Sequence, residues 1–366
     1  MKTGKFLRKV TVAAVAALAL LAQQGPERAP GETVSRPKKK TDPPAVPSRP
    51  KRGPVPTDAP TFQAESNLVN VEVAVLDNRG NFIPTIPRDN FLILEDNVPQ
   101  KIVNFGPSEA PMTVCLVIEF SNLYQQYWTE SWYQTLTAAY GFLETLRPED
   151  WVAVVAYDLR PEILSDFSQD KRKAHEAMQR LRIAAFSESN MFDALADTID
   201  RMKDIEGRRA IVLIASGVDT FSRLTFDKAR QAVQTGGVAI YAVGLMQALR
   251  EWYDARGALG SIQRMDFLQA DNQMRTFAKE SGGVSFFPRF YGEFPSIFQQ
   301  ISISLRNQYV VSYSPTNQAR DGKFRKIKVQ LVDPQTNKEL RIMVNGKNVK
   351  YQILAKAGYT APREVE

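Results

Sequence analysis

The sequence predicts an α/β protein in which a doubly wound, mostly parallel, Rossmann-like sheet is accompanied by a smaller β module. Two observations support this fold class. Between residues 111 and 308, short apolar runs alternate with segments whose apolar residues recur every three or four positions. Strands that are apolar on both faces and are separated by helices form mostly parallel sheets covered on both sides. Before and after this stretch, apolar and polar residues alternate, as they do in strands with one buried face.

Each apolar run of the central stretch predicts one strand of the parallel sheet. The five runs span residues 114–118, 152–156, 210–215, 238–243 and 284–287. Helices are predicted between them, for example where Met191, Leu195 and Ile199 recur at helical spacing. The glycine pairs at 236–237 and 282–283 each stand between a predicted helix and a predicted strand. This is the position of a helix C-cap.

Two β-rich flanks enclose the central domain of residues 111–308. The first flank covers residues 62–110, where Val69, Val71, Val73 and Val75 alternate with other side chains. The second flank covers residues 309–358 and is followed by a tail, residues 359–366. We expect the strands of the two flanks to form the smaller β module.

Residues 1–24 have the features of an export signal. Lys2, Lys5, Arg8 and Lys9 precede an apolar run of 13 residues, from 10 to 22, that ends in small residues. A membrane-spanning helix needs about 20 apolar residues, so the run favours a signal peptide. The alternative is an uncleaved N-terminal anchor. Both interpretations predict an exported protein that is periplasmic or secreted, and the second tethers it to the inner membrane.

Residues 25–61 predict a disordered linker. The segment is rich in proline, lysine and arginine, and it has few apolar side chains to offset the entropy of ordering. The chain has a formal charge of +7, but residues 1–61 account for the excess and leave the rest close to neutral. A near-neutral domain lacks the basic surface that binds nucleic acid, so we exclude that partner. A second interpretation of the linker's charge is contact with anionic lipid headgroups.

The composition argues against an enzyme. The chain has one cysteine, Cys115, within a predicted buried strand, and one histidine, His175, within a polar helical segment. Cys–His or Ser–His–Asp chemistry would depend on these two residues, and no Gly-x-Ser-x-Gly elbow is present. The same counts exclude zinc sites with several His or Cys ligands. No Gly-x-x-x-x-Gly-Lys-Ser/Thr loop indicates a nucleotide.

Three segments of the central stretch resemble the ligand-binding loops of von Willebrand factor type A domains. Leu116-Val-Ile-Glu-Phe-Ser-Asn122 is similar to their first strand and metal loop, and Ser189-Asn-Met-Phe-Asp-Ala-Leu195 to their second loop. The segment at 210–220 is similar to the strand that leads to their third loop. The flanks at 91–105 and 313–326 resemble the exported VWFA-related proteins of Acidobacteria, so the resemblance covers roughly residues 65–335. It implies a ligand crevice at the carboxyl ends of the strands, which is also where the sheet physics places one.

The resemblance implies a metal-ion-dependent adhesion site, built from two aspartates and three hydroxyls and completed by a carboxylate of the partner. Position by position, this sequence has Glu119 for the first Asp, Ser121 for the first Ser, Leu123 for the second Ser, Ser189 for the Thr and Ser216 for the last Asp. Magnesium demands near-ideal octahedral oxygen coordination. We therefore predict a degenerate site with no metal cofactor. The alternative is a divalent-metal-dependent adhesion domain that holds Mg²⁺ with Glu119, Ser121 and Ser189.

We predict that a protein partner, of unknown identity, binds at this rim of the sheet in place of a metal-mediated contact. Tyrosine and tryptophan side chains anchor many interfaces because they bury a large area with little loss of entropy. The candidate binding residues combine the remnant site with polar and aromatic loop residues: Glu119, Ser121, Tyr124, Tyr127, Ser189, Ser216, Asp219, Trp252 and Tyr253. For Ser189, Ser216 and Asp193, which follows one turn into a predicted helix, helix capping or turn formation is the competing interpretation.

Overall fold

Four strands of the first flank lead into the fold. The computed structural model describes residues 68–108, 110–121, 129–181, 186–247, 250–251, 261–344 and 346–363. The strands of the first flank are β1 (Val69–Asp77), β2 (Phe91–Glu95), β3 (Val98–Gln100) and β4 (Ile102–Pro107). The turn between β2 and β3 has positive φ angles at Asp96 and Asn97, the conformation that matches the twist of a two-residue hairpin.

A six-stranded sheet forms the centre of the described structure. Its strands are β5 (Met112–Glu119), β6 (Trp151–Tyr157), β7 (Pro161–Ser168), β8 (Arg208–Ala215), β9 (Ala239–Gly244) and β10 (Ser285–Phe286). The spatial order is β10-β9-β8-β5-β6-β7, and only the edge pair β6–β7 is antiparallel. The predicted doubly wound, mostly parallel sheet is confirmed.

Helices cover both faces of this sheet. They are α1 (Thr129–Glu144), α2 (Lys171–Gln179), α3 (Met191–Met202), α4 (Phe226–Gly236), α5 (Ser261–Ser281) and α6 (Phe294–Arg306). Alternate side chains of β5 enter two separate cores: Leu116 packs with residues of α1, α2 and α6, whereas Val117 packs with residues of α3, α4 and α5. Gly237 caps α4 with a φ of 62°, a left-handed conformation that glycine adopts without a steric penalty. No helix in the described part is long and apolar enough to cross a membrane.

The second flank returns to the first and builds the β module with it. Its strands are β11 (Tyr309–Tyr313), β12 (Phe324–Leu331), β13 (Ile342–Val344), β14 (Lys347–Val349), β15 (Tyr351–Leu354) and β16 (Gly358–Thr360). Two four-stranded sheets result, in the orders β15-β1-β11-β4 and β16-β12-β2-β3. Their facing apolar residues form a third core, with Val73, Ile93 and Val311 fully buried. β16 lies across the predicted boundary between the second flank, residues 309–358, and the tail, residues 359–366.

Candidate functional site

The carboxyl ends of β5 and β8 lie side by side and place Glu119 next to Ser216. The two strands are parallel neighbours, with Ile118 opposite Ile214. β6 flanks β5 on the other side, and the backbone N–H of Phe120 donates to the carbonyl oxygen of Tyr157 at 2.7 Å. Parallel strands deliver their last residues to one edge of a sheet, so the chain leaving β5 and the chain leaving β8 must share this space.

Glu119 is the hub of this edge. Its Oε1 accepts a hydrogen bond from Ser121 Oγ at 2.8 Å. Its Oε2 accepts two more from Ser216, one from the backbone N–H at 2.6 Å and one from Oγ at 2.7 Å. A carboxylate has about four acceptor positions, so three of them are used within the chain. The structure therefore brings Glu119, Ser121 and Ser216 together.

Burial sets the electrostatics of Glu119. Only 6% of the residue is exposed. Burial raises the pKa of Glu119 above its usual range, and the hydrogen bonds from Ser216 and Ser121 only partly oppose this effect. Tyr157 is buried beside it, and burial together with the nearby charges of Glu119 and Asp219 raises the pKa of the Tyr157 hydroxyl.

Ser189 connects the loop before α3 to the loop after β8. Its N–H donates to Thr220 Oγ1 at 2.9 Å, and its carbonyl oxygen accepts from the N–H groups of Thr220 at 2.8 Å and Phe221 at 3.1 Å. The Ser189 hydroxyl does not cap α3. It is fully buried and, like Tyr157 Oη, has no hydrogen-bond partner among the residues that the structure describes.

Asp219 belongs to a neighbouring polar network. The network includes Asn190 and Ser222, which no sequence pattern had indicated as site residues. Asp219 Oδ2 accepts from the N–H of Phe192 at 2.9 Å and from Ser222 Oγ at 2.5 Å. Ser222 Oγ also lies 2.9 Å from Asn190 Oδ1. The spacing of Asp219 and Ser222, three residues apart, is a local turn signal that could have indicated this pair.

Asp193 closes the same loop from the side of α3. Its carboxylate accepts from the backbone N–H groups of Leu224 at 2.9 Å and Arg223 at 3.1 Å. Although burial acts in the opposite direction, these hydrogen bonds and the Arg223 guanidinium, 3.5 Å away, lower the pKa of Asp193. Asp193 thus fastens the loop after β8 onto α3.

The donor set at this edge fits a divalent cation poorly. Glu119 directs both carboxylate oxygens at donors of its own chain, and Ser216 supplies a hydroxyl where the resembled site has a second carboxylate. The two buried hydroxyls without partners, on Ser189 and Tyr157, bring no negative charge. Within the described ranges, no three His, Cys, Asp or Glu side chains are grouped so that they could hold a metal ion.

The predicted aromatic candidates Tyr124, Tyr127, Trp252 and Tyr253 lie outside the described residues. The structure places two other aromatic side chains in the loops around Ser189. Phe221 is 55% exposed in the loop after β8, and Phe186 is 48% exposed in the loop before α3. No sequence signal distinguished them, because an isolated phenylalanine in a loop has no periodic context that shows whether it is buried.

Cys115 and His175 are far from forming a nucleophilic pair. Cys115 is buried in the core that contains α3, α4 and α5, and burial raises the pKa of its thiol to about 12. His175 is exposed on α2, which packs on the opposite face of the sheet, and its ring stacks on Tyr140 with centroids 4.2 Å apart. A thiol with a raised pKa on the far side of a sheet from the imidazole has no activating base.

Comparison with known proteins finds one family match, which lies within the central domain. Residues 117–218 match the family model of the von Willebrand factor type A domain. No curated protein sequence gives a significant match.

Several solved structures are similar at low sequence identity. A von Willebrand factor type A protein from Catenulispora acidiphila is 12% identical, with a TM-score of 0.43 over 82% of this chain and 76% of its own. The proximal thread matrix protein 1 of the mussel byssus is 11% identical, with a TM-score of 0.43 over 58% of this chain and only 51% of its own. The vWF domain of a type V pili tip protein from Porphyromonas gingivalis is 14% identical, with a TM-score of 0.40 over 53% of this chain and 96% of its own.

The matched segment begins in β5, contains Glu119, Ser121 and Ser189, and ends two residues after Ser216. It thus covers Glu119 and its hydrogen-bond partners Ser121 and Ser216, and it ends just before Asp219. Residues 117–218 of the chain therefore match a von Willebrand factor type A domain.

Proposed function

We propose that this chain is a non-enzymatic module that binds a protein partner at the carboxyl-end rim of its central sheet without a divalent cation. The observation that carries the proposal is the state of Glu119. Both of its oxygens accept hydrogen bonds from Ser121 and Ser216, so the negative charge that would attract a cation is already engaged by donors of the chain. What remains at the rim is a floor of polar side chains that are hydrogen-bonded to one another.

The loops around this floor offer surface for a partner. Phe221 and Phe186 expose about half of their surface, and Phe221 is held in place by the hydrogen bond from its N–H to Ser189. Arg223, whose side chain is 93% exposed, lies two residues further along the same loop. Exposed aromatic and arginine side chains on loops anchored to a rigid sheet are typical of interface hot spots. We add Phe186 and Phe221 to the candidate residues predicted from the sequence.

We further propose that the protein is exported, with residues 1–24 as the signal or anchor and residues 25–61 as a linker that leads to the folded part. The support for this comes from the sequence alone, namely the basic start, the 13-residue apolar run and the proline-rich segment that follows. In this arrangement the domain would meet its partner in the periplasm or outside the cell.

Isothermal titration with Mg²⁺ and Mn²⁺ tests the metal-free part of the proposal. We expect no saturable binding by the full chain. The Ser216→Asp variant, which restores a second carboxylate, should bind more strongly than the unchanged protein. Micromolar binding by the unchanged protein that is lost in Ser121→Ala would contradict the proposal and support the metal-dependent adhesion domain with Glu119, Ser121 and Ser189.

Site-specific photocrosslinking tests the rim as the binding surface. A Phe221→p-benzoylphenylalanine variant should form a discrete covalent adduct in the cells that produce the protein, and the yield should be the same with EDTA present. The matched control is the same substitution at Met343, which is 59% exposed in the β module. Equal adducts from both positions, or an adduct from Phe221 that EDTA abolishes, would contradict a metal-independent site at the rim.

A further inference from the structure

A second cleft lies at the amino ends of β8 and β9, where the central sheet meets the β module. It has a volume of about 360 Å³, and we call it the basic cleft because three cationic side chains line it. The polar and charged side chains of its wall are Glu72, Arg208, Arg209, Ser281, Gln308 and Lys356. Glu119 stands at the carboxyl end of β5 and Ser216 directly follows the carboxyl end of β8, so the two sites occupy opposite ends of the sheet. Nothing in the proposed partner binding uses the basic cleft.

The cleft wall carries more positive than negative charge. Three cationic side chains, Arg208, Arg209 and Lys356, face a single carboxylate, that of Glu72. Glu72 is 33% exposed, and its Oε1 lies 3.8 Å from Arg208 Nε, which is beyond hydrogen-bond distance. Arg209 is partly engaged elsewhere, because its Nη1 donates to the carbonyl oxygens of Met202 and Lys203 at the end of α3.

Several of the cationic donors lack acceptors. The residue Arg208 is only 6% exposed, and its Nη2 donates to Gln308 at 3.1 Å, but its Nε has no hydrogen-bond partner in the described structure. The Nε of Arg209 is equally without one. Burial lowers the pKa of the Lys356 amine, and the nearby carboxylate of Glu72 opposes this effect. Buried donors of a charged group are expensive to leave unpaired, because water no longer solvates them.

Two glycines leave room for these side chains and the backbone that carries them. A Cβ on Gly282, whose φ is 87°, would lie 2.6 Å from the backbone nitrogen of Lys356. A Cβ on Gly237 would lie 3.2 Å from Arg209 Nη2. The end of α5 therefore packs closely against the backbone at Lys356, and the end of α4 lies close to the Arg209 guanidinium.

We infer that the basic cleft binds a phosphate or sulfate group, either as the free anion or as the head of a larger molecule. A tetrahedral oxyanion accepts hydrogen bonds in several directions, so it can pair with the unused Nε donors of Arg208 and Arg209 and with the amine of Lys356 together. Arginine guanidinium groups match the geometry of such oxygens, and each bond gains from the opposite charges. A volume of about 360 Å³ holds the anion with space for a small organic substituent.

Titration calorimetry of the full chain with sodium phosphate and sodium sulfate, at constant ionic strength in chloride, tests the inference. We expect saturable binding by the unchanged protein and about tenfold weaker binding by Lys356→Gln, which removes one charged donor. Glu72→Gln should bind more tightly, because it removes the carboxylate that repels the anion. The matched control is Lys328→Gln, which loses one charge from an exposed position of β12 and should bind as the unchanged protein does.

The variants separate the basic cleft from the other basic parts of the chain. Absence of saturable binding, or equal binding by Lys356→Gln and Lys328→Gln, would overturn the inference. The second result would assign the anion to a place such as the basic segment of residues 25–61. Glycerol phosphate, titrated in parallel, distinguishes the sources. Binding as tight as that of inorganic phosphate indicates a head group, and binding of the inorganic ion alone indicates the free anion.

Discussion

Glu119 shows how one side chain changes the character of a site. Glu119 stands at the position of an aspartate in the resembled domains, and its side chain is one methylene longer. Its Oε2 accepts hydrogen bonds from the backbone N–H and the hydroxyl of Ser216. The replacement of the last aspartate by Ser216 supplies the matching donors. Glu119 and Ser216, the two departures from the family pattern, are therefore complementary. The carboxylate of Glu119 accepts the hydrogen bonds that the backbone N–H and the hydroxyl of Ser216 donate.

Replacing Glu119 with glutamine should stabilise the protein at neutral pH. Burial raises the pKa of Glu119, so ionising its carboxyl group destabilises the folded state. The protein therefore loses stability as the pH rises from the ordinary carboxyl range through the raised pKa. Glutamine keeps an acceptor for Ser216 without the charge. We expect the Tm of Glu119→Gln to exceed that of the unchanged protein at pH 7 and to match it below about pH 4, where glutamate is protonated in both states.

A Glu119→Leu variant is the control for this experiment. It removes the charge and also the acceptors, so the buried N–H of Ser216 loses its partner. We expect a loss of about 1–3 kcal/mol in the free energy of unfolding at either pH. If Glu119→Gln were less stable than the unchanged protein at pH 7, the hydrogen bonds of the ionised carboxylate would outweigh its burial.

Asp193 should make the opposite contribution. Its pKa is lowered, so it stabilises the fold above the ordinary aspartate range, and that stability is lost as the pH falls through the lowered value. Asp193→Ala leaves the N–H groups of Leu224 and Arg223 without acceptors. We expect urea unfolding to show that the variant loses about 1–3 kcal/mol in the free energy of unfolding at pH 7. The difference from the unchanged protein should become smaller below about pH 4.

The matched control is Asp197→Asn, which changes an exposed carboxylate one turn later on the same helix. Partial burial and the nearby charge of Asp193 raise the pKa of Asp197, so we expect this variant to leave the unfolding midpoint unchanged or slightly higher at pH 7. An equal loss in both variants would mean that the charge at the start of α3 matters, and not the two hydrogen bonds to the loop.

At the scale of elements, the loop after β8 packs directly against α5. Gly217 begins this loop with a φ of 82°, and a Cβ there would lie 2.9 Å from the carbonyl oxygen of Ala270 and 2.7 Å from Met274 Sδ. The Met274 side chain can move, but the Ala270 backbone belongs to α5 and cannot. The site edge therefore depends on the position of a helix whose residues are not part of the site.

We expect Gly217→Ala to destabilise the protein by about 1–3 kcal/mol, because it combines an unfavourable backbone conformation with a close contact. Gly141→Ala is the control. Gly141 lies inside α1 with no neighbouring atom within 4 Å of an added Cβ, so alanine should stabilise that helix by about 0.5–1 kcal/mol. Chemical unfolding measures the free energy of unfolding of both variants. If Gly217→Ala left this free energy unchanged, the loop and α5 would be able to move apart without destabilising the protein.

The elements that periodicity defines were predictable from the sequence. Strands β5, β6, β8 and β9 are apolar on both faces, and their positions agree with the predicted runs. β7 was missed, because Pro161–Ser168 is a half-exposed edge strand that contains proline and several polar residues. At the site, Glu119, Ser121 and Ser216 follow from strand order. Thr220, Ser222 and Phe221 do not, because their contacts join loops distant in sequence.

At the scale of the whole molecule, the two flanks form one body that rests against the central sheet. Glu95 of β2 is 2% exposed and accepts hydrogen bonds from Tyr313 and Tyr359, two residues of the second flank, at 2.7 and 3.0 Å. The N–H of Ala357 donates to the carbonyl oxygen of Glu280 at the end of α5. The β module is thereby connected to the central domain through a backbone hydrogen bond.

We predict that the β module and the central domain unfold together. Ile93 is fully buried in the β module, and Ile93→Ala should cost about 2–5 kcal/mol. All four tryptophans lie between residues 128 and 252, within the central domain. Cooperative unfolding requires that the urea midpoint followed by tryptophan fluorescence shifts downward in this variant.

The control is Ile163→Ala, at an edge position that is 44% exposed, where we expect a shift smaller than about 1 kcal/mol. An unchanged fluorescence midpoint in Ile93→Ala, with a separate early transition in far-ultraviolet circular dichroism, would show that the two parts unfold independently.

The position of β1 has a consequence for how the chain is made. β1 pairs with β11 and with β15, so its two neighbours arrive more than 200 residues after it. A chain synthesised from its N-terminus at about 5–20 residues per second leaves β1 without either neighbour for tens of seconds. Unpaired strand edges are templates for association between chains. A newly made molecule is therefore most vulnerable before β11 and β15 emerge, and a chaperone that shields β1 would act in that interval.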